Sequence, residues 1–230
     1  PVVAGPILYL LVLEHGPAFG ARAATLSLCA ILASEAFNFA YAWTCRSCSW
    51  PTALAAALGT WFVAACLLSL LPVSPIWAVC AALTAVLFGQ SFLPRSSAVA
   101  VGAPLRRADL AGRMFAGAVL TLVVTTLSGR LGATWSGLLA VFPLLGSVLS
   151  VSSHRAHGPA FVVSLLRGMV LGRFSFAAFC LFLSLVLAHQ TATTSFLEAA
   201  VLAMFVQWCT RRLTVTAGVR TQAKSAAGME

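Results

Sequence analysis

Glu35 and Arg173 are the residues of this chain best placed to do chemistry, because each lies deep inside an apolar run. An ionisable group at such depth costs on the order of 3 kcal/mol by insertion scales. It should face the protein interior and have a partner. Asn38 stands one helical turn beyond Glu35. Opposite charges at similar depth on two helices could bind a solute or relay a proton. They could also do no more than fix the packing. Glu198, near the start of the last apolar run, is a weaker candidate, since its side chain can reach the interface.

A second group of candidates is set by proline. Pro1 and Pro6 interrupt the first apolar run, and Pro143, Gly146 and Ser147 interrupt another at 134–153. A mid-membrane proline removes a backbone hydrogen bond and frees a carbonyl. Ser147, Ser150 and His154 share one helix face, which suits the lining of a wet cavity. The alternative is that the serines bond to their own backbone and the proline only bends a packed helix.

The third candidate is a motif that occurs twice. His15-Gly16-Pro17-Ala18-Phe19 recurs as His157-Gly158-Pro159-Ala160-Phe161, at an offset of 142. Proline favours the first helical position and glycine can stand before it as a cap, so the motif can simply start two helices. Helix N-termini also attract anions, with His15 or His157 as a possible partner.

The elements that must position these residues follow from composition. Of the 230 residues, 60% are hydrophobic and only 8% are charged, against about 25% charged in an average soluble domain. Mean hydropathy is +0.98. A soluble globular domain, a disordered chain and a disulfide-rich secreted scaffold are excluded. Eight apolar segments are expected, at 1–13, 17–44, 51–71, 74–93, 110–131, 134–153, 160–188 and 193–210. Most have the roughly 20 residues that a spanning helix needs. The first is short, as the end of a longer helix would be, and an N-terminal helix is expected to be missing from this chain. Trp43, Trp50, Trp77, Trp135 and Trp208 lie near segment ends, as an interfacial belt requires; Trp61 lies mid-segment and does not fit.

The net charge of +9 is explained by topology better than by nucleic acid, which is not expected as a partner. With loops on alternating sides, one side receives eleven basic residues: Arg46, Arg95, Arg106, Arg107, Arg113, Arg155, Arg167, Arg211, Arg212, Arg220 and Lys224. The other receives two, Arg22 and Arg130. The bias places the C-terminus in the cytoplasm. Cys45 and Cys48 fall in a loop on that side. One such pair is too few for a closed zinc site, and no metal or other cofactor is expected.

The repeat extends beyond its five-residue core. Segments 1–13, 17–44 and 51–71 correspond to 134–153, 160–188 and 193–210, and 110–131 precedes the second set. The expected fold is therefore an all-α polytopic transmembrane bundle of two four-helix repeats. The first repeat (1–71) is truncated at its N-terminus. A linking helix (74–93) and a cytoplasmic linker (94–109) lead to the second repeat (110–210) and a basic cytoplasmic tail (211–230). Four helices plus one is an odd number, so the repeats should have inverted topology. Many secondary transporters are built this way, with broken helices at matching positions around the site.

Trp135-Ser136-Gly137-Leu138-Leu139-Ala140-Val141-Phe142-Pro143, followed by His157-Gly158-Pro159-Ala160 and an Ala/Phe-rich helix, resembles a group of uncharacterised bacterial inner-membrane proteins. More distantly it resembles the GlpM-like small membrane proteins. The resemblance covers about one repeat. It implies an inner-membrane location and brings no catalytic residues.

There is no phosphate-binding Gly-rich loop, no metalloprotease His-Glu-x-x-His and no Gly-x-Ser-x-Gly elbow. The chain is therefore read as a non-enzymatic, permease-like transporter in the lipid bilayer. Its small-molecule solute, anionic or zwitterionic, would bind between the kinked segments. Two other readings remain at this point. One is a non-catalytic subunit of a larger complex, and homo-oligomers are also possible. The other is a lipid-directed enzyme using His154, His157 or Arg155.

Overall fold

The computed structural model describes residues 4–71, 74–92 and 132–227, with a few helical positions between 114 and 126. The helices are α1 (Ala4–His15), α2 (Pro17–Thr44), α3 (Trp50–Ser69), α4 (Pro75–Phe92), α5 (Gly132–Ala140), α6 (Leu144–His157), α7 (Pro159–Val186) and α8 (Ala192–Ala227). No strand occurs among the described residues. Five stretches are long and apolar enough to cross a bilayer: Pro17–Thr44, Trp50–Ser69, Thr134–His157, Pro159–Val186 and Ala192–Arg212. This is a multi-pass helical membrane protein.

Among the described residues, five of the eight expected spans are these, and 1–13 and 74–93 appear as two shorter apolar helices, Ala4–His15 and Pro75–Gly89. At 18 residues, the linking helix α4 rises about 27 Å. The segment 110–131 lies almost wholly outside the described residues, and the linker 94–109 and Pro1 lie fully outside them. The basic tail continues α8 as helix to Ala227. Pro6 does not interrupt α1. The helix runs through it from Ala4 to His15.

The doubled motif starts two helices of equal length. α2 and α7 each have 28 residues with proline at the first turn. Gly16 and Gly158 stand before them at φ +88° and +78°, with ψ near 180° in both. That backbone region is open in practice only to glycine. His15 stacks on Phe19 with centroids 4.5 Å apart, and His157 on Phe161 at 4.6 Å. Each histidine thus packs on the phenylalanine of its own motif.

α2 is the central helix. It packs against α1, α3, α4, α5 and α7, and 72% of its spanning stretch is buried, against 17% for α8. Its buried Ala23, Ala24, Ala30, Ala33 and Ala42 let backbones approach closely, the usual way helices pack in lipid. α3, α4 and α8 turn Phe62, Leu67, Leu87, Leu197, Val201 and Phe205 outward, which lipid contact favours. Trp61 is the exception to the belt because it is buried, edge-on to Phe142 at 4.8 Å.

Two separated contacts give the relative direction of α2 and α7. Glu35 meets Arg173, and the Leu187 side chain that follows α7 lies beside Gly20. As one number rises the other falls, so the helices run antiparallel. Side-chain contacts gather the helix ends accordingly. At one end Tyr41 meets His154 (3.4 Å), the Arg155 guanidinium covers Trp50 and that of Arg46 covers Trp43. At the other, Tyr9 meets Thr193 (3.3 Å) and packs edge-on against Phe196. Thus α1 lies on α8, while α6 lies on α3.

Candidate functional site

α2 and α7 carry an acid and a base to the same level of the bundle. The Arg173 Nε donates to Glu35 Oε1 at 2.8 Å. Asn38 Nδ2 donates to the other carboxylate oxygen at 3.2 Å, its spacing of three residues along the helix placing the two side chains on one face. The Glu35 side chain is 2% exposed and that of Arg173 16%. α4 closes over the carboxylate where it is narrowest. A Cβ at Gly89 would lie 3.0 Å from Glu35 Oε2 and 3.2 Å from Val170. Only glycine gives α4 this approach without displacing a neighbour.

Beside the pair is a cleft of about 340 Å³. Arg173, Asn38, Ser34 and Gly172 border it from α2 and α7, and Ala4 borders it from α1. The remaining wall is Met169 and Phe176 of α7 and residues 140–146, where the helix breaks. α5 stops at Ala140 and α6 begins at Leu144, with Phe142 and Pro143 between them outside helical geometry. Proline cannot donate the bond that would carry the helix through. Trp61 of α3 supports the break by packing against Phe142.

The break exposes a helix N-terminus to the cleft. The Leu144 amide bonds to Phe142 O and the Ser147 amide to Pro143 O. The amides of Leu145 and Gly146, in the first turn, have no backbone acceptor among the described residues. Leu144, Leu145 and Gly146 all border the cleft. On the facing helix, Asn38 Oδ1 is buried with no hydrogen-bond partner among the described residues.

The candidates divide sharply. Glu35, Asn38 and Arg173 come together, and Pro143 joins them at the cleft. Ser147 Oγ instead donates to Pro143 O at 2.7 Å. Ser150 is buried without a partner among the described residues, and His154 meets Tyr41 at the end of the bundle. Neither serine nor His154 borders the cleft, so the polar face does not line it. Pro6 is exposed and lies away from it. The two His-Gly-Pro motifs are likewise at helix ends. Glu198 is exposed on α8. Cys45 is buried and Cys48 exposed. Burial pushes the Cys45 thiol above its ordinary pKa, with nearby Arg46 opposing. No cluster of His, Cys, Asp or Glu that could hold a metal occurs among the described residues.

Sequence reasoning did not single out Gly89, Gly172, Ser34 or Phe142. A glycine inside an apolar helix does signal close approach, and Gly89 carries that signal. Ser34 and Phe142 carry none that separates them from their neighbours. Comparison of the chain with family models, curated proteins and solved structures finds no match, so what this site does has to be argued from its own residues.

Proposed function

We propose that the protein is a non-enzymatic membrane transporter whose small solute binds in the cleft between α2, α7 and the broken α5–α6 helix. The observation that carries this reading is the composition of the cleft wall. Ala4, Ser34 and Asn38 come from the first unit, and residues 140–146 with Gly172 and Arg173 from the second. A site shared by two units can be exposed to one side of the membrane and then the other as the units rock. A buried ion pair and a broken helix at that boundary are the features such a site uses. The test is counterflow into vesicles reconstituted with the full chain, using radiolabelled amino acids and short monocarboxylates. At least one should accumulate above protein-free vesicles. Glu35→Gln should reduce that signal at least tenfold while the protein stays monodisperse. No accumulation of any tracer by well-dispersed protein would remove the transporter reading.

The two units are read as inverted repeats in a bacterial inner membrane, with the Arg-rich ends in the cytoplasm. Support comes from the equal lengths of α2 and α7, their antiparallel contact and the reciprocal seating of α1 on α8 and α6 on α3. Glu14 and Ala156 are equivalent under the offset, and both are exposed. In a cysteine-free background, Glu14→Cys and Ala156→Cys should react with a membrane-impermeant maleimide from opposite sides. Labelling of both from one side refutes the inversion.

One observation favours the accessory-subunit reading. Ala56, Gly59, Thr60, Val63, Ala64 and Leu67 form a groove along the outer face of α3, of a kind that a neighbouring transmembrane helix fits.

A further inference from the structure

The cleft holds two unmet hydrogen-bonding demands of opposite sign, and they are neighbours. On one side are donors. Arg173 spends Nε on Glu35, and its terminal Nη groups make no hydrogen bond among the described residues while the residue borders the cleft. The first-turn amides of α6 point the same partial positive charge toward the cleft. On the other side is a single acceptor, Asn38 Oδ1, in a residue only 1% exposed. A Cβ at Gly146 would lie 3.9 Å from that oxygen, so the acceptor faces the first turn of α6. Buried polar groups in native proteins are nearly always satisfied, and a ligand that suits both carries an acceptor, best an anion, and a donor attached to one carbon.

Charge and shape narrow the class further. Glu35 and Arg173 already balance each other. A ligand with no net charge keeps the cleft neutral, whereas a simple anion adds a charge at depth, which is costly. The rest of the wall is apolar, with Met169, Phe176, Val141 and Phe142. We propose that the cleft takes an apolar α-amino acid as its zwitterion. The carboxylate lies between the Arg173 Nη groups and the α6 first turn, the ammonium donates to Asn38 Oδ1, and the side chain lies on Met169 and Phe176. This inference rests on the reading of the cleft as a solute site.

The test is equilibrium binding to the full chain in lipid nanodiscs, with four probes that share one isobutyl unit. Three are L-valine, 2-hydroxyisovalerate and isovalerate; the fourth, isobutylamine, is that skeleton without its carboxylate carbon. Valine should bind at least tenfold more tightly than isovalerate, which lacks the donor, and than isobutylamine, which lacks the carboxylate. Asn38→Leu should erase the preference for valine over isovalerate. Gly146→Ala adds a methyl group between the two poles with only ordinary contacts, 3.4 Å to Phe37 and 3.8 Å to Pro143. It should leave the fold intact and weaken valine at least tenfold. Isovalerate binding as well as valine overturns the amino-acid class and keeps the solute site. 2-Hydroxyisovalerate exceeding valine overturns the charge argument. If none of the four binds while the protein is folded, the solute-site reading falls with the proposal. Valine binding without counterflow would remove transport and leave the ligand class standing.

Discussion

Arg173→Met is expected to lower the unfolding free energy by about 3–5 kcal/mol, the range seen when one partner of a buried ion pair is removed. The cost does not measure the strength of the pair. It is the cost of leaving the Glu35 carboxylate, 2% exposed, with Asn38 alone. The walls around it cannot compensate, because α4 presses Gly89 against the same oxygen that Asn38 serves. Removing both charges tests this account. Glu35→Leu combined with Arg173→Met should return to within about 2 kcal/mol of the parent, since a buried pair and a hydrophobic replacement are often near parity. Glu35→Gln should cost less than Arg173→Met. The guanidinium it leaves behind borders the cleft and can be solvated from there. Detergent-mixture unfolding followed by circular dichroism reads all three variants. A double variant as unstable as the single one would show that the residues act through packing and not through charge.

Gly137→Ala should be more damaging than its size suggests, with a loss of about 3 kcal/mol, at the upper end for forced overpacking. A Cβ at Gly137 would stand 2.5 Å from Ala23 O and 2.7 Å from the Leu26 Cβ. The first is backbone of the central helix and cannot move aside by changing rotamer. α5 would have to retreat from α2 and lose the bond from Ser27 Oγ to Gly137 O, now 2.9 Å. Gly59→Ala is the control. Nothing lies within 4 Å of a Cβ there, so that variant should gain roughly 0.5–1 kcal/mol from helix propensity alone. Unfolding midpoints compare the two directly, and equal effects would contradict the close α2–α5 contact.

The contrast between these glycines shows what was legible beforehand. Hydropathy and the proline-marked starts located α2 at Pro17–Thr44 and α7 at Pro159–Val186 nearly to the residue, because a spanning helix announces its own length. The depth of Glu35 and Arg173 was legible for the same reason, and so was the demand for a partner. The identity of the near neighbours was not. Gly137 and Gly59 look alike in a string of apolar residues, and only the arrival of α2 distinguishes them. Ser147, Ser150 and His154 shared a face as expected, yet that face met backbone, core and Tyr41 instead of the cleft. Helical periodicity gives which residues lie together but leaves open what they lie against. Pro6 and Pro143 were both read as interruptions, yet α1 runs through Pro6 as helix whereas Pro143 stands between two helices.

The exchange of short helices between the halves has a consequence for biosynthesis. Tyr9 of α1 is joined to Thr193 of α8 across 184 residues of sequence. A helix of 12 residues is thus secured by one that leaves the ribosome 184 residues later. Until then it has only its neighbours in the first half, α2 foremost. The first half cannot reach its final form before the second is made, and the second reciprocates by seating α6 on α3. Assembly must therefore finish as one late, long-range step. Separately expressed halves should depend on each other for survival against membrane proteolysis.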